Sequence, residues 1–188
     1  MHTLLDRVIR FFRFRPLARH VPQPPGSLLD LGCGPVPWFL VADPRLCAGA
    51  VITAIDRRPY RFGPDAGFRF IQQAVVERLP FADASFDCVT MLALIEHLAY
   101  PEAVVGEIHR VLAPGGALLL TTPSRMARPV LEFLAFRLHL IDGEEIADHR
   151  QYFSRRTLGA LLARQGFSVP VLTHFEFGFN VFAKAVKG

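Results

Sequence analysis

Residues 29–34 read Leu-Asp-Leu-Gly-Cys-Gly, and the run before them, Ser27 to Leu31, is largely apolar. An apolar run closing on a carboxylate and two glycines is the pattern of a buried parallel strand turning sharply toward a helix. Glycine permits positive φ and brings the backbone close to a ligand that a Cβ would hold off. A pyrophosphate-binding turn uses a third glycine, G-x-G-x-x-G, to lay phosphates on a helix N-terminus. Here that position is Pro37, and Asp30 sets a negative charge two residues before Gly32. The chemistry favoured is recognition of a cationic, phosphate-free nucleoside bearing an ammonium group. Pro37 correspondingly disfavours a nicotinamide-dependent oxidoreductase.

The elements that must position these residues alternate between strand and helix, which predicts an α/β fold with a parallel sheet and helices on both faces. Strands are expected at 27–31, 51–55 (closing on Asp56), 68–72, 86–92 and 117–122. Helices are expected at 36–48 and 101–112, the second opening on Pro101 with Ala103, Val104, Ile108, Val111 and Leu112 on one side. Pro114-Gly115-Gly116 is expected to turn into the fifth strand. A helical, aromatic-rich excursion at 124–150 breaks the rhythm, and such excursions after a strand often carry substrate contacts. Ser154 is a good N-cap for a helix over 155–165 ended by Gly166. Two β-prone runs, 167–177 and 179–185, suit an antiparallel pair closing the sheet.

With 188 residues, 51% of them hydrophobic and 20% charged, the chain is expected to form one domain with a sizeable core. No apolar run reaches the roughly 18–20 residues of a membrane-spanning helix, and no secretory signal pattern is visible. Cys33, Cys47 and Cys88 lack metal-ligand spacing and read as reduced thiols of a cytosolic protein. No metal is expected. Arginines interleave with apolar residues over 3–15, predicting a basic amphipathic helix ended by Pro16. Two readings stay open for it: peripheral contact with an anionic membrane surface, or packing over the core beside the site. Nucleic acid is not expected as a partner.

Five stretches together resemble the class I S-adenosylmethionine-dependent methyltransferases, specifically the broad small-molecule group. They are Leu-Leu-Asp-Leu-Gly-Cys-Gly (28–34), Ile-Thr-Ala-Ile-Asp (52–56), Leu-Pro-Phe-Ala-Asp-Ala-Ser-Phe-Asp-Cys-Val (79–89), Leu-Ile-Glu-His-Leu (94–98) and Glu-Ile-His-Arg-Val-Leu-Ala-Pro-Gly-Gly (107–116). His149 to Phe153 and Gln-Gly-Phe at 165–167 are also typical. The resemblance implies a doubly wound, mostly parallel seven-stranded sheet with an antiparallel C-terminal hairpin. It also implies S-adenosylmethionine as cofactor and S-adenosylhomocysteine as its product. By this likeness Asp30 faces the amino-acid part of the cofactor, and Gly32 and Gly34 approach its methionine–ribose region. Asp56 accepts the ribose hydroxyls, a task that suits an all-acceptor group with two oxygens. Cys33, Arg57, Val76 and Glu77 complete the cofactor's surroundings. The chain departs from the family pattern at Val36, where a small residue is usual, and at Val75, where an acid commonly meets the adenine amine.

Methyl transfer is an in-line displacement at a carbon already activated by a sulfonium, so the protein mainly positions the nucleophile and excludes water. A general base is needed only when the acceptor arrives protonated. His97, after the fourth strand, is the first candidate, because histidine titrates near neutrality. His149 and Tyr152 follow the excursion and are candidates for the acceptor pocket. Glu96 is expected to order the loop, and His109 to lie on the surface. The hydrophobic stretch 126–141 within the excursion, with Phe133, Phe136 and its leucines, is read as a lid over a small lipophilic or aromatic acceptor, with plain core or a dimer contact as alternatives. A cofactor-binding protein without turnover, or a protein- or RNA-methylating enzyme, remains the competing reading.

Overall fold

The computed structural model describes residues 17–22, 26–35, 37, 47–60, 67–75, 77–141 and 143–188. The expected helix over 3–15, most of that over 36–48, and Val76 lie outside the described residues.

Seven strands form one sheet: β1 (Ser27–Leu31), β2 (Val51–Asp56), β3 (Arg69–Gln72), β4 (Phe86–Leu92), β5 (Leu112–Pro123), β6 (Phe167–Phe175) and β7 (Asn180–Lys187). Their spatial order is β3-β2-β1-β4-β5-β7-β6. Strands β1 to β5 pair in parallel, and β7 runs antiparallel to both β5 and β6. Four helices accompany them among the described residues: α1 (Pro101–Val111), α2 (Ala127–Phe136), α3 (Gly143–Ala147) and α4 (Arg155–Arg164). The expected doubly wound sheet with its C-terminal hairpin is the observed one.

Alternation along the strands divides the core in two. Leu29, Leu31, Ile55, Val89, Met91, Leu118 and Leu120 pack on one face with Val104 and Ile108 of α1 and Leu158 and Leu162 of α4. Leu28, Ala54, Cys88, Leu119 and Phe182 pack on the other with Leu17 and Val21. The buried stripe of α1 is Pro101, Val104, Val105, Ile108 and Val111; Val105 takes the place expected for Ala103, which is exposed. Helix α4 opens on a capping box, with Thr157 N–H donating to Ser154 Oγ (3.2 Å) and Ser154 N–H to Thr157 Oγ1 (2.9 Å).

Strand β5 begins earlier than the sequence implies. Phe86 pairs with Leu112 and Cys88 with Ala117, so Pro114-Gly115-Gly116 bulges within the strand instead of preceding it. Gly115 has φ +77°, the left-handed geometry that such a bulge favours.

Two motif residues turn out to fasten the scaffold. Arg110 grips Glu107 with two hydrogen bonds, Nε to Oε1 (2.9 Å) and Nη2 to Oε2 (2.8 Å). Its remaining donors reach Phe81 O (2.9 Å), Asp83 Oδ1 (2.6 Å) and Leu79 O (3.2 Å), while Leu79 N–H donates to Glu107 Oε2 (2.9 Å). The clasp ties α1 to the loop ahead of β4. Its hydrogen bonds from Arg110 hold the Glu107 carboxyl near 2, against a usual value of 4.5. A carboxyl depressed by folding stabilises fully above its unfolded pKa and loses that contribution as pH falls through the folded one. Glu107→Gln is therefore expected to cost about 1–2 kcal/mol at pH 7, after solvent screening of this partly accessible pair. The difference from the parent should shrink as pH falls from about 4.5 toward 2. Urea unfolding of both proteins at several pH values checks this; a pH-independent difference would refute it.

Candidate active site

The chain leaves β1 for β2 and β3 on one side, while β4 and β5 lie on the other. The crevice of such a sheet opens where the strand order reverses, at the carboxyl ends of β1 and β4. Asp30, Gly32 and Asp56 fall at the ends of β1 and β2, and His97 lies just beyond β4 in a 3-10 turn, Ile95–His97.

Hydrogen bonds to β2 shape the glycine turn. Gly32 and Cys33 both donate to Ile55 O, at 2.8 and 3.1 Å. Gly34 N–H donates to Asp56 Oδ2 (2.7 Å), and Arg58 N–H to Asp56 Oδ1 (2.8 Å). Gly32 and Gly34 have φ of +68° and +69°, a region costly for residues bearing a Cβ. The two differ in what a side chain would meet. A Cβ on Gly32 would press within 3.0 Å of Leu94, whereas one on Gly34 would meet nothing within 4 Å among the described residues. The bare backbone at Gly34 is held directly against the Asp56 carboxylate.

Asp56 is only 5% exposed and is no solvated turn acid. Each of its oxygens takes one backbone donor and retains acceptor capacity for another. Asp30 is deeper, at 1% exposed, with Thr90 Oγ1 donating to its Oδ1 at 2.6 Å. Its charge reinforces the effect of burial on the neighbouring thiols. Burial, the larger cause, raises Cys33, and pushes Cys47 to about 11 and Cys88 to about 12. Burial thus favours the thiol over the thiolate at all three cysteines. Val75 packs half-buried against the core, and Glu77 is exposed. Arg57, largely exposed, reaches Asp148 Oδ2 at 3.4 Å.

A polar cluster stands on the other side of the crevice. The His97 and His149 rings meet edge to face, with centroids 4.7 Å apart. His149 Nδ1 and the Tyr152 hydroxyl share a hydrogen bond of 3.0 Å. Asp148 Oδ2 lies 3.5 Å from His97 Nδ1, so this one carboxylate faces both His97 and Arg57. Thr122 Oγ1 donates to Glu96 Oε2 (3.1 Å), and the Glu96 carbonyl accepts from Arg150 and Gln151 N–H, at 2.9 and 3.3 Å. Glu96 therefore orders the loop and clips the returning chain over it. Burial raises the Tyr152 hydroxyl pKa, assisted by Glu132, and the Arg128 guanidinium lies 5.7 Å from the ring centre. The structure thus assembles His97, His149 and Tyr152, and adds Thr90, Thr122 and Asp148, which sequence reasoning missed. The Ala-Asp-His run at 147–149 was the available signal for Asp148.

His109 departs from expectation. It is half-buried, edge-on to Phe167 at 4.9 Å, and a Cβ on Gly166 would come within 3.1 Å of its ring. Burial lowers its pKa, so it packs as a neutral ring where the end of α1 meets β6.

Above the cluster, α2 is buried only at Ala127 and Ala135. Phe133 and Phe136 are half exposed, and Met126, Val130, Leu138 and Leu140 are also exposed. At the adjoining β6–β7 turn, Phe177 is fully exposed, with the left-handed backbone of Glu176 and Phe177.

The profile of the methyltransferase-domain family matches residues 2–170. A ubiquinone biosynthesis O-methyltransferase of Azotobacter vinelandii is 25% identical over 193 residues, covering 88% of this chain and 78% of that protein. The protein of the same name from Xanthomonas campestris is 30% identical over 139 residues, covering 70% of this chain. The matched region spans about half, 54%, of that relative's length. In fold, the chain is similar to the Burkholderia thailandensis 1,6-didemethyltoxoflavin-N1-methyltransferase, solved with bound S-adenosylhomocysteine. That comparison has a TM-score of 0.69 at 18% identity, over 97% of this chain and 81% of the other. A parallel sheet with acids at two neighbouring strand tips and a glycine turn between them agrees with these likenesses, and the chain belongs to the class I S-adenosylmethionine-dependent methyltransferases.

Proposed function

We propose that the enzyme methylates an oxygen of a small, apolar, aromatic acceptor. The observation that carries this reading is the His97–His149–Tyr152 cluster at the crevice mouth, set beside the uncovered apolar side chains of α2. The names of the O-methyltransferase relatives support the choice of oxygen.

The residues fit S-adenosylmethionine, because the left-handed backbone of Gly32 and Gly34 sets bare backbone beside the buried Asp56 carboxylate, whose oxygens keep acceptor capacity. Asp56 would take the ribose hydroxyls on its spare lone pairs, and Gly32, Cys33 and Gly34 would cradle the chain that joins ribose to methionine. Asp30 would favour the cofactor's ammonium from below, and Arg57 and Glu77 would border the nucleoside. When bound, the cofactor supplies a methyl group already activated by positive sulfur. The protein's own work is then to hold the acceptor oxygen at attack distance, exclude water and ease the loss of its proton. His97, His149 and Tyr152 hold that oxygen. The apolar side chains of α2 cover the ring that carries it.

The test is incubation with S-adenosylmethionine and apolar phenols, amines, bulk RNA and protein, scored by S-adenosylhomocysteine release and methyl gain. Methylation of phenols is expected. Tyr152→Phe is expected to lower kcat about 10-fold, a general-catalysis-sized effect, with cofactor Kd unchanged. Methylation confined to amines, RNA or protein would overturn the reading.

A further inference from the structure

The structure assigns a divalent-cation site to Glu96, His97 and His149. The assignment rests on the reading of this cluster as the place where the acceptor oxygen is held, and it explains how the proton of that oxygen is lost. One ligand atom from each of the three residues lies within 4.8 Å of the others. Bonds from such donors to a metal run about 2.0–2.2 Å, so small side-chain rotations bring all three onto one ion.

Three features favour a cation here. First, Glu96 is 1% exposed, and a carboxylate so far from water is stabilised by an adjacent positive charge. Second, each of the three has a polar neighbour: Thr122 donates to Glu96 Oε2 (3.1 Å), Tyr152 shares a hydrogen bond with His149 Nδ1 (3.0 Å), and the Asp148 carboxylate lies 3.5 Å from His97 Nδ1. Such outer partners fix ring orientation and raise ligand basicity in metal sites. Third, the Glu96 carbonyl holds the backbone of Arg150 and Gln151, which keeps His149 beside Glu96. No sequence spacing announces this set, since the fold brings residue 149 onto residues 96 and 97.

Two imidazoles and one carboxylate suit Zn²⁺ or Mn²⁺ and leave coordination positions open. An acceptor hydroxyl in one of them loses its proton to solvent near neutral pH, as metal-bound water does. The ion undergoes no change of charge. The alkoxide or phenolate it holds is then the nucleophile.

The experiment uses the full chain stripped with a chelator and titrated with Mn²⁺, followed by loss of the free-ion spin resonance signal. Zn²⁺ is measured separately by competition with a chromophoric chelator. One ion per chain is expected. Glu96→Gln and His149→Asn are each expected to weaken it by about 30-fold or more, within or above the range for disturbed metal shells. Their S-adenosylmethionine affinities should stay close to the parent's. His149→Asn provides the check if loss of the buried Glu96 charge harms folding. Asp56→Ala should keep the ion while losing the cofactor, so failure of the methyl-transfer reading and failure of the metal site are separable. Absence of stoichiometric binding by either ion, or unchanged affinity in both variants, would overturn the assignment.

Discussion

Asp56→Ala is expected to weaken S-adenosylmethionine binding by more than about 100-fold. A hydrogen bond to a charged acceptor is worth about 1.5–3 kcal/mol, and on the proposed placement of the cofactor two ribose hydroxyls would lose their partner in this variant. The loss has a second source in the protein itself. Asp56 accepts from Gly34 N–H at 2.7 Å and from Arg58 N–H at 2.8 Å, so its removal also releases the turn that forms the cradle. Asp56→Asn keeps the side-chain outline and one carbonyl acceptor but gives up one of the two backbone hydrogen bonds, and a smaller loss, about 10-fold, is expected of it. Calorimetric titration of both variants provides the check, with thermal unfolding to confirm their folded state. An alanine variant binding within threefold of the parent would remove the carboxylate from the site.

Replacing residues 126–141 with a short glycine–serine linker is expected to lower kcat/KM by about 100-fold or more while cofactor affinity stays near the parental value. The expected loss follows from the apolar cover over the acceptor ring, each buried large side chain being worth about 1.5–3 kcal/mol. Survival of the fold follows from the shallow seating of α2, which buries only Ala127 and Ala135 among its ten residues. The anchors flanking it also remain: Ser124 N–H still donates to Phe179 O (2.8 Å), and its hydroxyl to Gly178 O (2.7 Å). The double variant Phe133→Ser/Phe136→Ser tests the same idea without shortening the chain. Equal loss of cofactor binding and transfer in both variants would show that the excursion is structural.

Sequence patterning reveals the sheet well because each strand is a local signal. Runs such as 86–92 and 117–122 are buried on both faces of the sheet, and their apolar content shows it directly. The glycine turn and Asp56 are equally legible, since positive φ and an acid at a strand tip are requirements of backbone geometry. The Glu107–Arg110 clasp is less so. Its i,i+3 spacing is visible, but the carbonyls of Leu79 and Phe81 that complete it belong to a loop 29 to 31 residues upstream. The polar cluster is the least legible part. Glu96, Thr122 and His149 come together only because β4 and β5 are neighbours and the chain returns over them after α3. His109 and Ala103 were misplaced for a related reason: helix periodicity fixes which residues share a face, but not which neighbouring element covers its margins.

Asp148 connects Arg57, beyond β2, with His97, beyond β4, across the tip of β1. One carboxylate thus neighbours a side chain from each flank of the crevice, so a substitution at Asp148 disturbs both flanks together.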